Sequence, residues 1–503
     1  MQFSIKRNLI ANYTAQIYTM AVGVVMAPVY LAYMGREAYG LIGFFTVMSA
    51  WFQLLDIGMT PTLVRETARF RGGAISVNDL RSFLRALEIF FGAMSLAGGL
   101  VIVLLSQEIA THWLKVEHLP IKEVVHAIGL MGLAIPLRWI AGLYRSVVNG
   151  FERQVWLGAY NITIATLRFV GVLGIFTIFD PTPINFFAYQ LGLAALEVGG
   201  LAVMTYRLVH RRGTARERFS WKPFRENLSF SLTIAFTAAV WLTLLQTDRM
   251  VLSKTLTLSA YGVFSIAIVA AATVSALNGA LGQAVMPRLS KFSAENDVSG
   301  MVRLYHQATQ VTCVIGAPVV AMFVFFADPI LTAWTGKTDI AAQAAPILVL
   351  YAIGNGWASL NAFVYYLQYA KGNLRLHLIG NLLQILFMVP LILIAAKRFG
   401  PVGTGFVWAG ANALYFLVFV PVVHARFLPG IHMKWLLRDI FLIVAPVTAA
   451  AGILAYIIPW PHGRWVTLGE AVAVGIFLVA IAGMSSTVMR TALRGILRSA
   501  SVR

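Results

Sequence analysis

Residues 8–33 read NLIANYTAQIYTMAVGVVMAPVYLAY. This run exceeds the roughly 20 mainly apolar residues that an α-helix needs to cross a bilayer. Lys6 and Arg7 precede it. It is too long for a signal-peptide core and ends in no small-residue cleavage site, so it reads as a retained first transmembrane helix. Its polar residues are ordered. Asn8, Asn12, Gln16 and Thr19 fall at offsets of four, eight and eleven, which places them on one helix face. A polar stripe against lipid is costly, so this face belongs to a packed interface or a wet cavity.

Outward from that helix, the 503 residues repeat its character. Apolar stretches fall at about 9–33, 40–63, 84–107, 123–147, 156–178, 184–206, 227–250, 258–285, 306–327, 341–368, 374–395, 401–423, 437–459 and 468–489. The expectation is an all-α polytopic membrane protein of about fourteen spans. Composition agrees: 59% of residues are hydrophobic and 12% charged, with a mean hydropathy of +0.77. A soluble enzyme needs far more surface charge, and a disordered chain far less apolar content. The connectors are too short to fold as separate soluble domains.

The net charge of +19 comes from 39 Lys+Arg against 20 Asp+Glu. In such a chain it is an orientation signal before it is a nucleic-acid signal. With both termini in the cytoplasm, alternate loops hold about 28 basic residues on the inner side and about 9 on the outer. Arg207, Arg211, Arg212, Arg216, Arg218, Lys222 and Arg225 cluster between spans six and seven, and Arg490–Arg503 close the chain. Both groups fit anionic lipid heads. The single cysteine, Cys313, lies in the apolar run Val311–Phe326 and reads as a core residue.

The spans form a repeat. Ala38-Tyr39-Gly40 recurs as Ala260-Tyr261-Gly262, 222 residues on, and Gly150 and Arg153 recur as Gly372 and Arg375 at the same offset. Two six-helix lobes related by a pseudo-two-fold follow, with two further C-terminal helices. The expected divisions are residues 1–206, a basic cytoplasmic linker 207–226, residues 227–425, and residues 426–503. Parallel repeats of this kind are a transporter architecture with a site between the halves. The polar stripes repeat as well. Span two carries Ser49, Gln53, Asp56 and Thr60; Ser275 and Asn278 stand for Gln53 and Asp56 in span eight. Span seven carries Ser229, Thr233 and Thr237, then Trp241 and Asp248.

Charges inside spans each need a reason, because an unpartnered one costs at least about 3 kcal/mol at mid-membrane. Arg168 is near the middle of span five, Glu197 near the middle of span six, and Arg138 in span four on one face with Arg145 and Asn149. Arg168 has two readings: a buried pair with Glu197, or a cation facing a cavity and attracting an anionic substrate. Asp56 reads equally as a proton or sodium site or as a hydrogen-bonding partner of span one. Asp248 and Arg249 read as an interfacial pair or as coupling chemistry. Arg85 and Glu88, three apart, read as an ion pair on a helix face. Pro28 and Pro61 sit in striped helices, where a kink can act as a hinge.

Catalytic signatures are missing. Gly336-Lys337-Thr338 resembles the end of a phosphate-binding loop, but Leu331 stands where its first glycine belongs. The nine histidines show no metal spacing, and no nucleophile elbow occurs. The chain reads as moving a substrate without transforming it.

These residues also carry a family resemblance. Asn8-x-x-x-Asn12, Pro28-x-Tyr30, and Gly35 followed by Tyr39-Gly40-Leu41 resemble the opening of bacterial polysaccharide flippases of the Wzx type, as do Gly58, Pro61 and Leu63-Val64-Arg65. Asp248-Arg249-Met250-Val251-Leu252-Ser253 with Ala260-Tyr261-Gly262 resembles that family's pattern after span seven. The resemblance covers nearly the whole chain in topology. It implies the multidrug/oligosaccharidyl-lipid/polysaccharide exporter superfamily and a multi-pass protein of the bacterial inner membrane. The implied activity is alternating-access flipping of undecaprenyl-pyrophosphate-linked oligosaccharide units to the periplasmic leaflet, for O-antigen, capsule or exopolysaccharide. It implies membrane lipids as surroundings, a polysaccharide polymerase and chain-length regulator as partners, and no nucleic acid. Arg138 and Arg168, with Arg65 at the inner mouth, are the candidates for the pyrophosphate. Gln16 and Gln53 from the stripes, and Trp241 stacking on a sugar ring, are candidates for the glycan. Asp56 or Asp248 would couple transport to a proton or sodium gradient, with no cofactor or metal. The alternatives are a cation-coupled multidrug exporter, a lipid II flippase, and a membrane glycan polymerase or ligase. Lipid II flippases carry several basic residues in span one, which here has none beyond Lys6 and Arg7. Polymerases carry a large outer loop, and none is expected here.

Overall fold

The computed structural model describes residues 2–210, 221–460 and 463–492. Arg211, Arg212, Arg216 and Arg218 of the basic linker lie outside the described residues, as do Arg494, Arg498 and Arg503 of the tail. So do the side chains of Lys6, Lys222, Thr233 and Asn278. The regular secondary structure among the described residues is helical, apart from an isolated bridge between Lys115 and Thr257. The chain divides into two compact units, Met1–Gly262 and Val263–Arg503.

The first unit opens with α1, Gln2–Phe52. At 1.5 Å per residue, 51 helical residues would extend about 75 Å, more than twice the hydrocarbon core. The helix therefore cannot be one crossing. It breaks at Gly35, where φ is 83° and ψ is 174°, a conformation open only to glycine. The second crossing breaks again. A 3₁₀ turn at Gln53–Asp56 leads through Ile57 and Gly58, both at positive φ, into α2, Met59–Arg71. Next come α3 (Val77–Leu104), started by a capping box between Ser76 and Asp79, and α4 (Ile121–Gly150). The fifth span is α5 (Gln154–Thr166), a π turn at Leu167–Gly171, and α6 (Val172–Ile178). α7 (Pro183–His210) packs along α4, and α8 (Lys222–Thr255) packs on α1, α2 and α3. Thr62 Oγ1 and Ser231 Oγ meet at 2.6 Å across the α2–α8 contact.

The connections at one end of this unit are tightly tied. The buried carboxylate of Glu37 accepts backbone N–H groups from Glu117, His118 and Leu119 at 2.5–2.9 Å. Lys115 accepts from Leu258 N and donates through Nζ to the Thr255 carbonyl, both at 2.8 Å. The two copies of the Ala-Tyr-Gly repeat meet here. A Cβ on Gly40 would lie 2.3 Å from the Leu258 carbonyl, and one on Gly262 would lie 2.1 Å from the Arg36 carbonyl. Arg36 and Leu258 are themselves 222 apart, so the contact is reciprocal: each copy's glycine receives the other copy's carbonyl.

The second unit holds most of α9 (Leu258–Ala294), then α10 (Val298–Thr335), α11 (Thr338–Ala370), α12 (Arg375–Leu414), α13 (Val420–Phe427), α14 (Leu442–Ile457) and α15 (Arg464–Ser485). α12 breaks at Gly400 (φ 59°), just before Pro401, so Arg375–Phe427 supplies two crossings. Eleven described helices are long and apolar enough to cross a membrane. Two of them, divided at Gly35 and Gly400, are long enough for two crossings each, and α8 is 34 residues long, which is compatible with about fourteen spans. The core packs around fully buried Trp435, Tyr305, Phe326 and Phe363. Buried Asp439 bonds His306 Nδ1 and Gln310 Nε2. The Gln310 carbonyl oxygen accepts from Ser486, Thr487 and Val488 at 2.8–3.2 Å, which fastens the end of α15 to α10.

Candidate functional site

The intramembrane arginines of the first unit converge on one carboxylate. Glu197 is near the centre of α7, and its side chain is 5% exposed. Its Oε1 accepts from Arg145 Nη2 of α4 at 2.5 Å, and its Oε2 accepts from Arg168 Nη2. Arg138, two turns before Arg145 on the same helix, sets its guanidinium over the Phe45 ring, 5.3 Å from the centroid. Arg138, Arg145 and Arg168 all act electrostatically on Glu197. Three cations against one anion leave a formal +2.

The cluster is not closed on itself. Arg145 leaves 37% of its side chain exposed and Arg168 leaves 17%. A guanidinium in contact with hydrocarbon is costly, so the exposed parts of these side chains fit a polar path better than lipid. The Nε–H groups of Arg145 and Arg168 are buried and have no acceptor among the described residues. An orphaned buried donor costs about 1–3 kcal/mol. The site thus holds unspent donors and unspent positive charge together, as an anion site should.

Local backbone geometry aims Arg168. It lies in the π turn Leu167–Gly171, midway along the fifth span. Such turns widen the helix by one residue and loosen its hydrogen-bond ladder. Side chains take up the loosened carbonyls. Tyr189 Oη donates to Leu167 C=O at 2.7 Å, Gln190 Nε2 to Arg168 C=O at 3.3 Å, and Tyr30 Oη to Phe169 C=O at 2.6 Å.

The other expected site residues lie elsewhere. Arg65 is 3.4 Å from Glu66, which also pairs with Arg69 at 3.0 Å, so this carboxylate takes up charge expected at the inner mouth. Gln16 donates to Asn12 along the shared stripe at 3.3 Å. Gln53 is exposed in the 3₁₀ turn, and Trp241 is half-exposed on α8. Asp56 accepts from Thr60 N at 3.0 Å and Thr60 Oγ1 at 2.7 Å, capping the helix that restarts after the break. Its hydrogen bonds run along its own span. Asp248 is buried in the last third of α8 and accepts from Arg249 N at 2.7 Å. Glu88 accepts from Tyr206 Oη at 2.6 Å.

Sequence reasoning placed Arg145 on the face of Arg138 but did not select it. It did not connect Tyr30, Tyr189 or Gln190 to Arg168. The π turn leaves no recognisable sequence pattern, so those connections had no signal. In the second unit, His424 and His432, eight residues apart, and Tyr305, far from them in sequence, lie close in space. His424 Nδ1 is 2.9 Å from His432 Nδ1, and His424 Nε2 is 2.8 Å from Tyr305 Oη. A cavity of about 200 Å³ also lies in this unit, lined by Val320, Phe325, Trp357, Ile440 and Val444. Its apolar walls do not suit a glycan.

Comparison with known proteins places these features in context. The family model described as polysaccharide biosynthesis protein matches residues 5–293, more than half the chain. The model described as lipid II flippase MurJ matches residues 267–475. A Shigella flexneri protein described as "Putative O-antigen transporter" is 20% identical over 378 residues, covering 75% of this chain and 87% of that one. The Bacillus subtilis membrane protein EpsK, described as uncharacterized, is 22% identical over 368 residues, covering 70% and 68%. Among solved structures, the inward closed lipid II flippase MurJ aligns with a TM-score of 0.71 at 16% identity, covering 94% of this chain and 97% of that one. An inward-facing multidrug transporter of the MATE family aligns at 0.66 and 12% identity, covering 83% and 98%. These structural likenesses show that the chain shares its fold with MurJ and with the MATE transporter.

Proposed function

The chain belongs to the polysaccharide biosynthesis protein family, and from that premise we propose that it is a flippase for lipid-linked oligosaccharides. The observation that carries this reading is the +2 arginine cluster with its unspent Nε–H donors at mid-membrane. A lipid-linked glycan presents two problems in hydrocarbon. Each sugar hydroxyl costs about 4–8 kcal/mol to strip of water, and the diphosphate carries charge. A cationic, partly exposed cluster meets the second problem, and polar stripes such as Asn8, Asn12 and Gln16 meet the first. The prenyl tail needs no protein passage, because it stays in lipid.

In this reading Arg138, Arg145 and Arg168 hold the diphosphate, and Gln16, Gln53 and Trp241 contact the glycan. Arg65, though paired, meets the headgroup at the inner mouth. The lobes are residues 1–206 and 227–425, joined by the basic linker 207–226 and followed by residues 426–503. Transport runs by alternating access from the cytoplasmic to the periplasmic leaflet of the bacterial inner membrane, with both termini cytoplasmic. A polymerase and a chain-length regulator would use the product. Energy would come from a proton or sodium gradient acting at Asp56 or Asp248.

Deleting the gene should make lipid-linked repeat units accumulate on the inner leaflet and deplete surface glycan. Unchanged surface glycan with no accumulation would sink the reading. The MurJ match in the second half favours lipid II as a second candidate substrate. Rescue of a strain depleted of its lipid II flippase would select it.

A further inference from the structure

The inference rests on the reading of Arg168 as a diphosphate ligand. We propose that Tyr30, Tyr189 and Gln190 are positioning residues that hold Arg168 toward the substrate by capping the π turn that carries it. Three consecutive carbonyls, Leu167, Arg168 and Phe169, each accept a side-chain donor from another helix. Tyr189 and Gln190 come from α7, the helix that also supplies Glu197. Tyr30 comes from α1, two residues beyond Pro28. Tyr30 and Gln190 are each 4% exposed, so water cannot substitute easily. Gly171 closes the turn under Tyr189; a Cβ there would meet the phenolic oxygen at 2.3 Å.

The physical consequence follows from helix geometry. A π turn contains one residue more than an α turn and persists only where something stabilises it. If it relaxes to α, the segment beyond the insertion turns by about 100° relative to the segment before it. Arg168 would then leave Glu197, and the cluster would lose one of its three cations. The three caps oppose that relaxation. Tyr30 adds a link to α1, so a bend at Pro28 would reach Arg168 through one hydrogen bond. Glu197 alone cannot do this work, because a salt bridge restrains the tip of the side chain and not the backbone register.

A double-mutant cycle tests the assignment. The full-length protein in detergent is titrated with a short-chain polyprenyl diphospho-N-acetylglucosamine, a diphosphate diester. Arg168→Gln should weaken binding at least about tenfold, and Tyr189→Phe about three- to tenfold. In the Arg168→Gln background, Tyr189→Phe should change affinity less than about twofold. Tyr30→Phe and Gln190→Met should behave alike, and they replace Tyr189→Phe should that variant fail to fold. Equal losses in both backgrounds, or no loss from any cap, would overturn the proposal and leave the diphosphate site standing. Failure of the unaltered protein to bind, or an unchanged affinity in Arg168→Gln, would instead overturn the site reading itself.

Discussion

Glu197 places one carboxylate between two guanidinium groups inside the membrane, and its substitution separates structural from functional roles. Removing it leaves Arg145 and Arg168 uncompensated. Breaking a buried pair costs about 3–5 kcal/mol, and the lower end applies because Arg145 is over one third exposed to screening solvent. Glu197→Ala should therefore lower the thermal unfolding midpoint, read by intrinsic fluorescence. Adding Arg168→Ala should recover part of that stability without restoring surface glycan. Recovery of both would make the pair purely structural. The sequence placed Arg168 and Glu197 at the same depth on consecutive helices, because depth follows from counting along each span. Rotation about each helix axis does not, so the second partner of Glu197, Arg145, became visible only in space.

At the scale of elements, breaks and caps decide where helices start and stop. Gly35 and Gly400 divide runs that would otherwise overshoot the bilayer, and both divisions were legible from length alone. The reciprocal contact of Gly40 and Gly262 was legible only as a repeat of letters. Gly40→Ala or Gly262→Ala should each destabilise the protein by about 1–3 kcal/mol, since a backbone carbonyl already occupies the Cβ position. Equal unfolding midpoints for variant and parent would contradict this. Asp297 caps α10 through Gly300 N at 2.8 Å, and that bond with Ser299 Oγ holds its carboxyl below the usual range. A carboxyl with a depressed folded pKa stabilises above its unfolded value, near 3.9, and loses that effect as pH falls through the folded value. The protection factor of the Gly300 amide, taken relative to its intrinsic exchange rate at each pH, should be constant near neutrality and fall on acidification below that range. Asp297→Asn should leave a protection factor that no longer changes across it.

For the whole molecule, the two C-terminal spans are bound into the second unit by polar groups as well as by apolar packing. Gln310 reaches the chain at Ser486–Val488, and Asp439 reaches back to α10. Deleting residues 432–503 would expose the partners of this network and the surface around Tyr305. The truncated chain should accumulate in membranes at a small fraction of the full-length level, as read by immunoblot. Full-length abundance would show these helices to be dispensable for folding. Gln310→Leu should act in the same direction with a smaller effect, because it removes the bonds and keeps the packing.

Apolar run length, basic-residue bias and the 222-residue repeat determined the span count and the expected topology. They could do so because the bilayer imposes one thickness and one hydrogen-bonding rule on every span. The same residues marked Arg138 and Arg168 as charges that topology does not require. Tertiary structure alone decided that a π turn carries Arg168, that Arg145 and Glu197 complete its cluster, and that Asp56 caps a broken helix. Those outcomes depend on axial rotation, local helix type and contacts between helices far apart in sequence, none of which is encoded in the hydropathy of a single span.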